Sequence, residues 1–531
     1  MNGTDYTVIV IYLAAMVGLG FALRKQSSER SFFLGDGSLG WFPLALSTMA
    51  TQLSAISFVS APAFVGIREG GGLKWLTYEF AVPLAMVFVM FVIAPALYRA
   101  KVVSIYEYLQ TRFGWSTRML ISLCFQVVRS FSTGIMIYAP ALILEAVLQI
   151  PTWASILAVG LIALTYSSVG GMEAVVYSDS IQMGLIFVGL LVAGAFALDA
   201  LGGVEGLMAR VDPARLVAVD AGSFGFDGDA FGLLPMVFGG FVLYASYYGC
   251  DQTQAQRVLS ASSMASARRL LFTNGLLRFP LVLLYCTVGL LVGTALTQFP
   301  DSMARIPPDR PDFMMPIFIV DHLPHGVIGL LIVAILSAAM SSVSSGMNSL
   351  AAVTLEDLRS VGWGPKSRSG ELAYARGLSV AWGVVMVVLS FYAGSIAPTV
   401  IEAINKVGSA LYGPVLGVFM VGILSSRRSE AAANLGLLSG LALNLYFWLF
   451  VPSLFWMWWN FIGLGVTLAV TLLATAMLGP SARADAEGIE PRDRISGSPA
   501  FRPLVVVLLG AFVAMVTVSW LIPGAALGRG G

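Results

Sequence analysis

The sequence predicts an all-α polytopic membrane protein of about fourteen transmembrane helices, ten of them arranged as a five-plus-five inverted repeat. Composition is the first observation behind this. Of 531 residues, 57% are hydrophobic and 11% charged, and a soluble domain carries roughly twice that charge. The second is the recurrence of apolar stretches long enough to cross ~30 Å of hydrocarbon. They fall at 5–23, 41–66, 74–98, 118–148, 152–171, 177–201, 231–250, 266–298, 324–354, 372–394, 398–426, 430–450, 453–478 and 503–523. The third is the placing of Lys and Arg. With fourteen spans, twenty of them lie in loops on one side of the membrane and seven on the other. Positive charge marks the cytoplasmic side, so the N-terminus is expected outside, in a multi-pass protein of the plasma (inner) membrane.

Taken in order, residues 1–30 form an extra N-terminal span. Neither a basic leading region nor a small-residue cleavage site precedes it, so it is expected to be retained. The next span has a polar middle, Ala50-Thr51-Gln52-Leu53-Ser54-Ala55-Ile56-Ser57. Five spans later comes another irregular one, with Phe238-Gly239-Gly240 followed by Tyr244-Ala245-Ser246-Tyr247-Tyr248-Gly249. Interrupted spans at matching positions of two halves indicate inverted repeats with sites at the bilayer midplane. The repeats are expected at 41–201 and 231–426, with peripheral spans in 430–531. A Pro- and charge-rich stretch, 479–503, sets the last of these apart. Trp448, Trp456, Trp458 and Trp459 read as an aromatic belt at the outer ends of two late spans.

The span 324–354 holds the densest chemistry. Ser337, Ser341, Ser342, Ser344, Ser345, Asn348 and Ser349 all lie in or beside it. Residues three and four apart share a helix face, so Ser341, Ser344, Ser345 and Asn348 line one side. Hydroxyl and carbonyl oxygens suit a hard cation such as Na⁺. Small hydroxyl residues also let membrane helices approach closely, and both readings stand at this point.

Other function classes find little support. Net charge is +1, which gives no sign of a nucleic-acid partner. Cys124, Cys250 and Cys286 lie in or beside apolar segments and suggest neither a disulfide framework nor a metal cluster. His322 and His325 are the only histidines, no nucleophile–base or metal constellation is visible, and an enzyme is not expected. No phosphate-binding loop appears, so ATP drive is not expected. An ion channel, the rival from another class, would need a filter loop or a ring of ligands, and neither is seen. No cofactor is expected beyond Na⁺ as a coupling ion; the oligomeric state is left open.

Several motifs carry a resemblance. Tyr106-Glu107-Tyr108-Leu109 with Arg112-Phe113, 134–142 (GIMIYAPAL), 170–182 (GGMEAVVYSDSIQ), 254–257 (QAQR), 351–358 (AAVTLEDL) and 413–417 (GPVLG) resemble, in order and spacing, the sodium/solute symporter family. The likeness runs from about 5 to 480 and favours the iodide, monocarboxylate and multivitamin branch over the bacterial sialic-acid symporters. It implies a LeuT-type fold in which Na⁺ flow drives uptake of a small solute. A small organic anion such as a monocarboxylate is the first choice, with a sugar, sialic acid, amino acid or vitamin as the alternative.

The resemblance also implies sites. A Na⁺ would be held by the carbonyls of Ala50, Leu53 and Ala338 and the hydroxyls of Ser341 and Ser342. A second Na⁺ site would use Asp179 with Ser341, Ser344 and Ser345. Gln52, Ser54, Ser57, Tyr244, Tyr247 and Tyr248 align with substrate-facing positions. Ser132, also a substrate-facing candidate, stands where the sialic-acid branch carries its carboxylate-binding Arg; Arg129, three residues away in the span 118–148, is a further charge expected to face the cavity.

Two charged residues read from the sequence itself have open roles. Asp179 near the start of the span 177–201 is either an ion ligand or a helix cap. Lys406, inside a span, needs a partner. Glu402 one turn earlier offers a local ion pair, an anionic substrate in the central cavity is the second reading, and replacement of a coupling cation is the third.

Overall fold

In the computed structural model, residues 1–23, 28–53, 55–148, 150–228, 231–365, 368–393, 400–480 and 502–526 are described; Ser54 lies outside them. The first helices are α1 (Gly3–Ala22), α2 (Glu29–Leu34), α3 (Trp41–Gln52), α4 (Ala55–Gly66), α5 (Leu76–Glu79), α6 (Ala81–Phe88), α7 (Ala94–Ala100) and α8 (Ile105–Arg112). Next come α9 (Trp115–Leu148), α10 (Thr152–Ala200), α11 (Val204–Arg210), α12 (Leu233–Cys250), α13 (Gln252–Leu259), α14 (Met264–Leu296) and α15 (Pro300–Ala304). The last are α16 (Met314–His322), α17 (Val327–Ser360), α18 (Arg368–Ser390), α19 (Val400–Leu424), α20 (Glu430–Phe450), α21 (Met457–Leu478) and α22 (Arg502–Ala526).

Helix starts follow local chemistry. Asn2 and Ser104 open α1 and α8 with capping boxes completed by Asp5 and Glu107, each side chain satisfying an orphan amide at the helix start. Asp251 caps α13 through Thr253 N at 2.8 Å, and Ser263 caps α14.

Among the described residues, twelve helices are long and apolar enough to cross a membrane, and the bent pair α3/α4 makes a thirteenth span. The expected number of about fourteen is not confirmed. The stretch 152–171 is helical as the first part of α10, but its apolar helix Thr152–Leu164 is shorter than a full span and lies ahead of Gly171–Ala200. The break between them is Gly171, at φ +59°. Glycine is needed there twice over, since a Cβ would also lie 2.8 Å from the Phe32 carbonyl of α2.

Two expectations are corrected. The irregularity placed at Phe238-Gly239-Gly240 is absent, because α12 runs unbroken to Cys250. A Cβ on Gly239 would sit 2.3 Å from the Met457 carbonyl, so this glycine serves the close crossing of α12 and α21. The chain instead breaks at Asp251, in extended conformation (φ −96°, ψ 123°). The tryptophans also differ from a belt: Trp456 and Trp459 are buried, and Trp459 stacks on Trp448 at 5.8 Å. The loop before α12 folds over this end, where Trp458 donates to the Phe224 carbonyl at 2.7 Å.

The serine-bearing α17 lies at the centre, packed by α10, α9, α18, α1 and α3. The small polar helix α13 is buried along its length from Gln252 to Val258. The positions of α17, α3 and α13 determine the site.

Candidate functional site

The end of α3 meets the middle of α17. Leu53 leaves the helix at ψ 76°, so its neighbourhood has carbonyls that a continuous helix would consume internally. Ser342 Oγ donates to the Thr51 carbonyl and to the Ala338 carbonyl, both at 3.3 Å. Thr51 Oγ1 lies 3.2 Å from Ser345 Oγ. Ala50, Leu53, Ala338, Ser341 and Ser342 are all buried around this contact. The structure thus brings the two segments expected to supply one cation site into direct contact.

Asp179 stands beside it. Its fully buried carboxylate accepts from Ser47 Oγ at 2.5 Å, Ser341 Oγ at 2.6 Å and Arg257 Nη2 at 2.9 Å. Asp179 lies eight residues past Gly171 in an uninterrupted helix, which removes the capping role. Arg257 from α13 also donates to Ser345 Oγ at 2.6 Å, to Ser47 Oγ at 2.8 Å and to the Thr253 carbonyl at 2.6 Å. A guanidinium therefore already faces the carboxylate assigned to a second cation. Ser344 Oγ turns to the Ser341 carbonyl of its own helix, at 3.0 Å.

A separate cavity of about 660 Å³, including its part open to solvent, lies between α4, α5, α9, α12, α14 and α19. Gln52, Ser57, Ser132, Tyr244 and Tyr247, among the residues read from the sequence as candidates to face substrate, line it. Tyr248 is buried and donates to Gln52 Oε1, holding that amide in place. The size and the mixture of aromatic walls with few polar groups suit a small solute.

Of the charges in this cavity, Arg129 was singled out beforehand, and Arg278 and Glu79 were not. Arg129 and Arg278 line it, together with Glu79. Arg129 pairs with Asp251 and packs 5.6 Å from the Tyr247 ring centroid. Arg278 forks onto Glu79, Nε to Oε2 at 3.1 Å and Nη2 to Oε1 at 3.2 Å. All four are nearly fully buried. Glu79 and Arg278 each interrupt an apolar span, a signal the sequence carried, and Arg257 had been noted only as part of a motif.

Lys406 is placed elsewhere. It is not among the residues lining the cavity, and its Nζ sits 5.9 Å from the Trp459 ring centroid. Glu402, the expected local partner, instead takes Arg68 of the α4 end with Nη2–Oε1 at 2.6 Å and Nε–Oε2 at 3.0 Å. Arginine's planar fork fits a carboxylate bidentately, which a lysine cannot match. Lys406→Gln should accordingly change the half-saturating substrate concentration less than about threefold (~0.7 kcal/mol), since its cation–π contact lies outside the cavity lining and does not meet the solute. A tenfold loss in uptake affinity would return Lys406 to the substrate site.

The family's sequence model, described as the sodium:solute symporter family, matches residues 32–463. The chain belongs to that family. Among curated relatives, a putative sodium-dependent multivitamin transporter of Drosophila melanogaster is 32% identical, over 85% of this chain and 75% of that one. The human sodium/iodide cotransporter is 31% identical over 83% and 69%. The mouse sodium-coupled monocarboxylate transporter 1 is 30% identical over 83% and 72%. A solved Na⁺-coupled sialic acid symporter superposes with a TM-score of 0.82 at 22% identity, covering 91% of this chain and 99% of that one. The fold is thus LeuT-type, and the protein is a membrane transporter rather than an enzyme.

Proposed function

We propose that this symporter uses inward Na⁺ flow to import a small organic anion, such as a monocarboxylate. One observation carries the anionic reading: the central cavity is lined by Arg129 and Arg278. Among the described residues, Arg129 Nε and Arg278 Nη1 have no hydrogen-bond partner. Buried donors left open in this way call for a ligand with acceptor oxygens. Relatives named for iodide and for monocarboxylates support the same choice.

Na⁺ binds, in this reading, where α3 meets α17, through the carbonyls of Ala50, Leu53 and Ala338 and the hydroxyls of Ser341 and Ser342. By drawing α17 onto the broken α3/α4 pair it favours one orientation of the central cavity, and differential binding to the two states drives the cycle. The N-terminus is outside, which puts α2, α8 and α13 on the cytoplasmic side, and 41–201 and 231–426 are the two repeats.

In proteoliposomes, an inward Na⁺ gradient should drive uptake of propionate or iodide, and an equal K⁺ gradient should not. Na⁺ should also raise the melting temperature where K⁺ does not, because ligand at 100 times its Kd stabilises by about 2.7 kcal/mol. Ser342→Ala should shift the Na⁺ concentration needed for both effects upward. Uptake confined to neutral solutes would overturn the anionic reading, and identical melting in the two salts would overturn the ion site.

A further inference from the structure

A second cavity lies beyond the first, lined by Tyr106, Cys124, Phe125, Cys250, Asp251 and Tyr412, among others. Tyr412 lines both cavities, Arg129 lines the first, and Asp251 lines the second. The two are therefore separated where Arg129 and Asp251 form their ion pair. We propose that this pair is an anion-operated gate, opened when the carried anion takes the place of Asp251 on Arg129.

The physical argument begins with burial. Both side chains are 3% exposed, so separating them unaided leaves two charges without water or partner, which is strongly unfavourable. A carried anion entering from the central cavity supplies Arg129 with a replacement carboxylate or iodide; chloride, which serves as the background salt, is not taken as carried. A neutral solute of the same shape does not, so the gate discriminates by charge. Arg129 Nε is open to that ligand among the described residues, while the pair with Asp251 uses Nη2.

Asp251 has a second duty that makes it more than a plug. Its Oδ2 takes Arg129, while its Oδ1 accepts from Thr253 N and caps α13. The same short helix sends Gln254 Nε2 to the Tyr247 hydroxyl at 2.9 Å and Arg257 to Asp179 at 2.9 Å. Release of Asp251 thus acts on a helix whose far end touches the carboxylate beside the cation site. This rests on the reading that the central cavity takes an anion.

The test uses Cys250, which is 2% exposed and lines the second cavity. In a parent carrying Cys124→Ala and Cys286→Ala, held in lipid nanodiscs, modification of Cys250 by a cationic thiosulfonate reagent reports opening. In NaCl the parent should react slowly. Sodium propionate or iodide should accelerate it, and propionamide should not. Asp251→Asn keeps the cap but loses the charge. It should react about tenfold faster or more in NaCl without propionate or iodide, as an equilibrium released from an ion pair should. Asp251→Glu should stay near the parent rate, which separates gating from a folding defect. Acceleration by propionamide equal to that by propionate would overturn the gate. So would Asp251→Asn reacting no faster than Asp251→Glu while propionate or iodide is still carried; uptake of neutral solutes alone would instead overturn the anionic reading beneath it.

Discussion

Arg257→Gln should cost about 3–5 kcal/mol of stability, because it leaves the Asp179 carboxylate buried without its charge partner. Ser47 and Ser341 would still donate to Asp179, but hydroxyls do not replace a full positive charge. Asp179→Asn should be damaging for the mirror reason, stranding a guanidinium that is 1% exposed. The double variant, Asp179→Asn with Arg257→Gln, should recover most of the loss, since neither partner remains charged. Melting temperatures of the three purified proteins give the comparison directly. The single Arg257→Gln variant also examines the second cation site. With the guanidinium gone, Asp179, Ser341 and Ser345 can accept Na⁺, so NaCl should rescue its melting temperature more than KCl does. Equal behaviour in the two salts would make the cluster purely structural.

The sequence exposed those features whose signal is local. Apolar runs located most of the spans, and the serine density of 337–349 pointed to the helix that now lies at the centre of the bundle. A polar middle at 50–57 located the α3/α4 break near Leu53. Partnerships between distant segments were not legible. Asp179 and Arg257 are 78 residues apart in the chain, and Glu402 reaches Arg68 across 334, whereas the sequence offered Lys406 one turn away. Local spacing favoured the i, i+4 pair, and geometry favoured the arginine fork. The kink that divides 152–171 from 177–201 was legible because its signal is local, since it falls at a single glycine, Gly171, between two apolar runs.

The largest combined effect on transport should come from Arg278. This residue spends Nε and Nη2 on Glu79 and keeps Nη1 without a partner among the described residues, so it both holds the cavity wall and has a donor left for a solute. Arg278→Gln alone should cost about 3–5 kcal/mol by leaving Glu79 charged and buried, so lost uptake in that variant says nothing about substrate. The double change Glu79→Gln with Arg278→Gln separates the two roles. It should melt near the parent temperature, because two neutral amides can hydrogen-bond each other where the ion pair stood. Its half-saturating propionate or iodide concentration should nevertheless rise tenfold or more, ~1.4 kcal/mol being one decade. Arg278→Lys should fall between, keeping the charge but losing the planar fork that satisfies Glu79 with two parallel bonds. If the folded double variant carries anions with unchanged affinity, Arg278 belongs to the scaffold, and Arg129 alone would have to supply the positive charge that the anion meets.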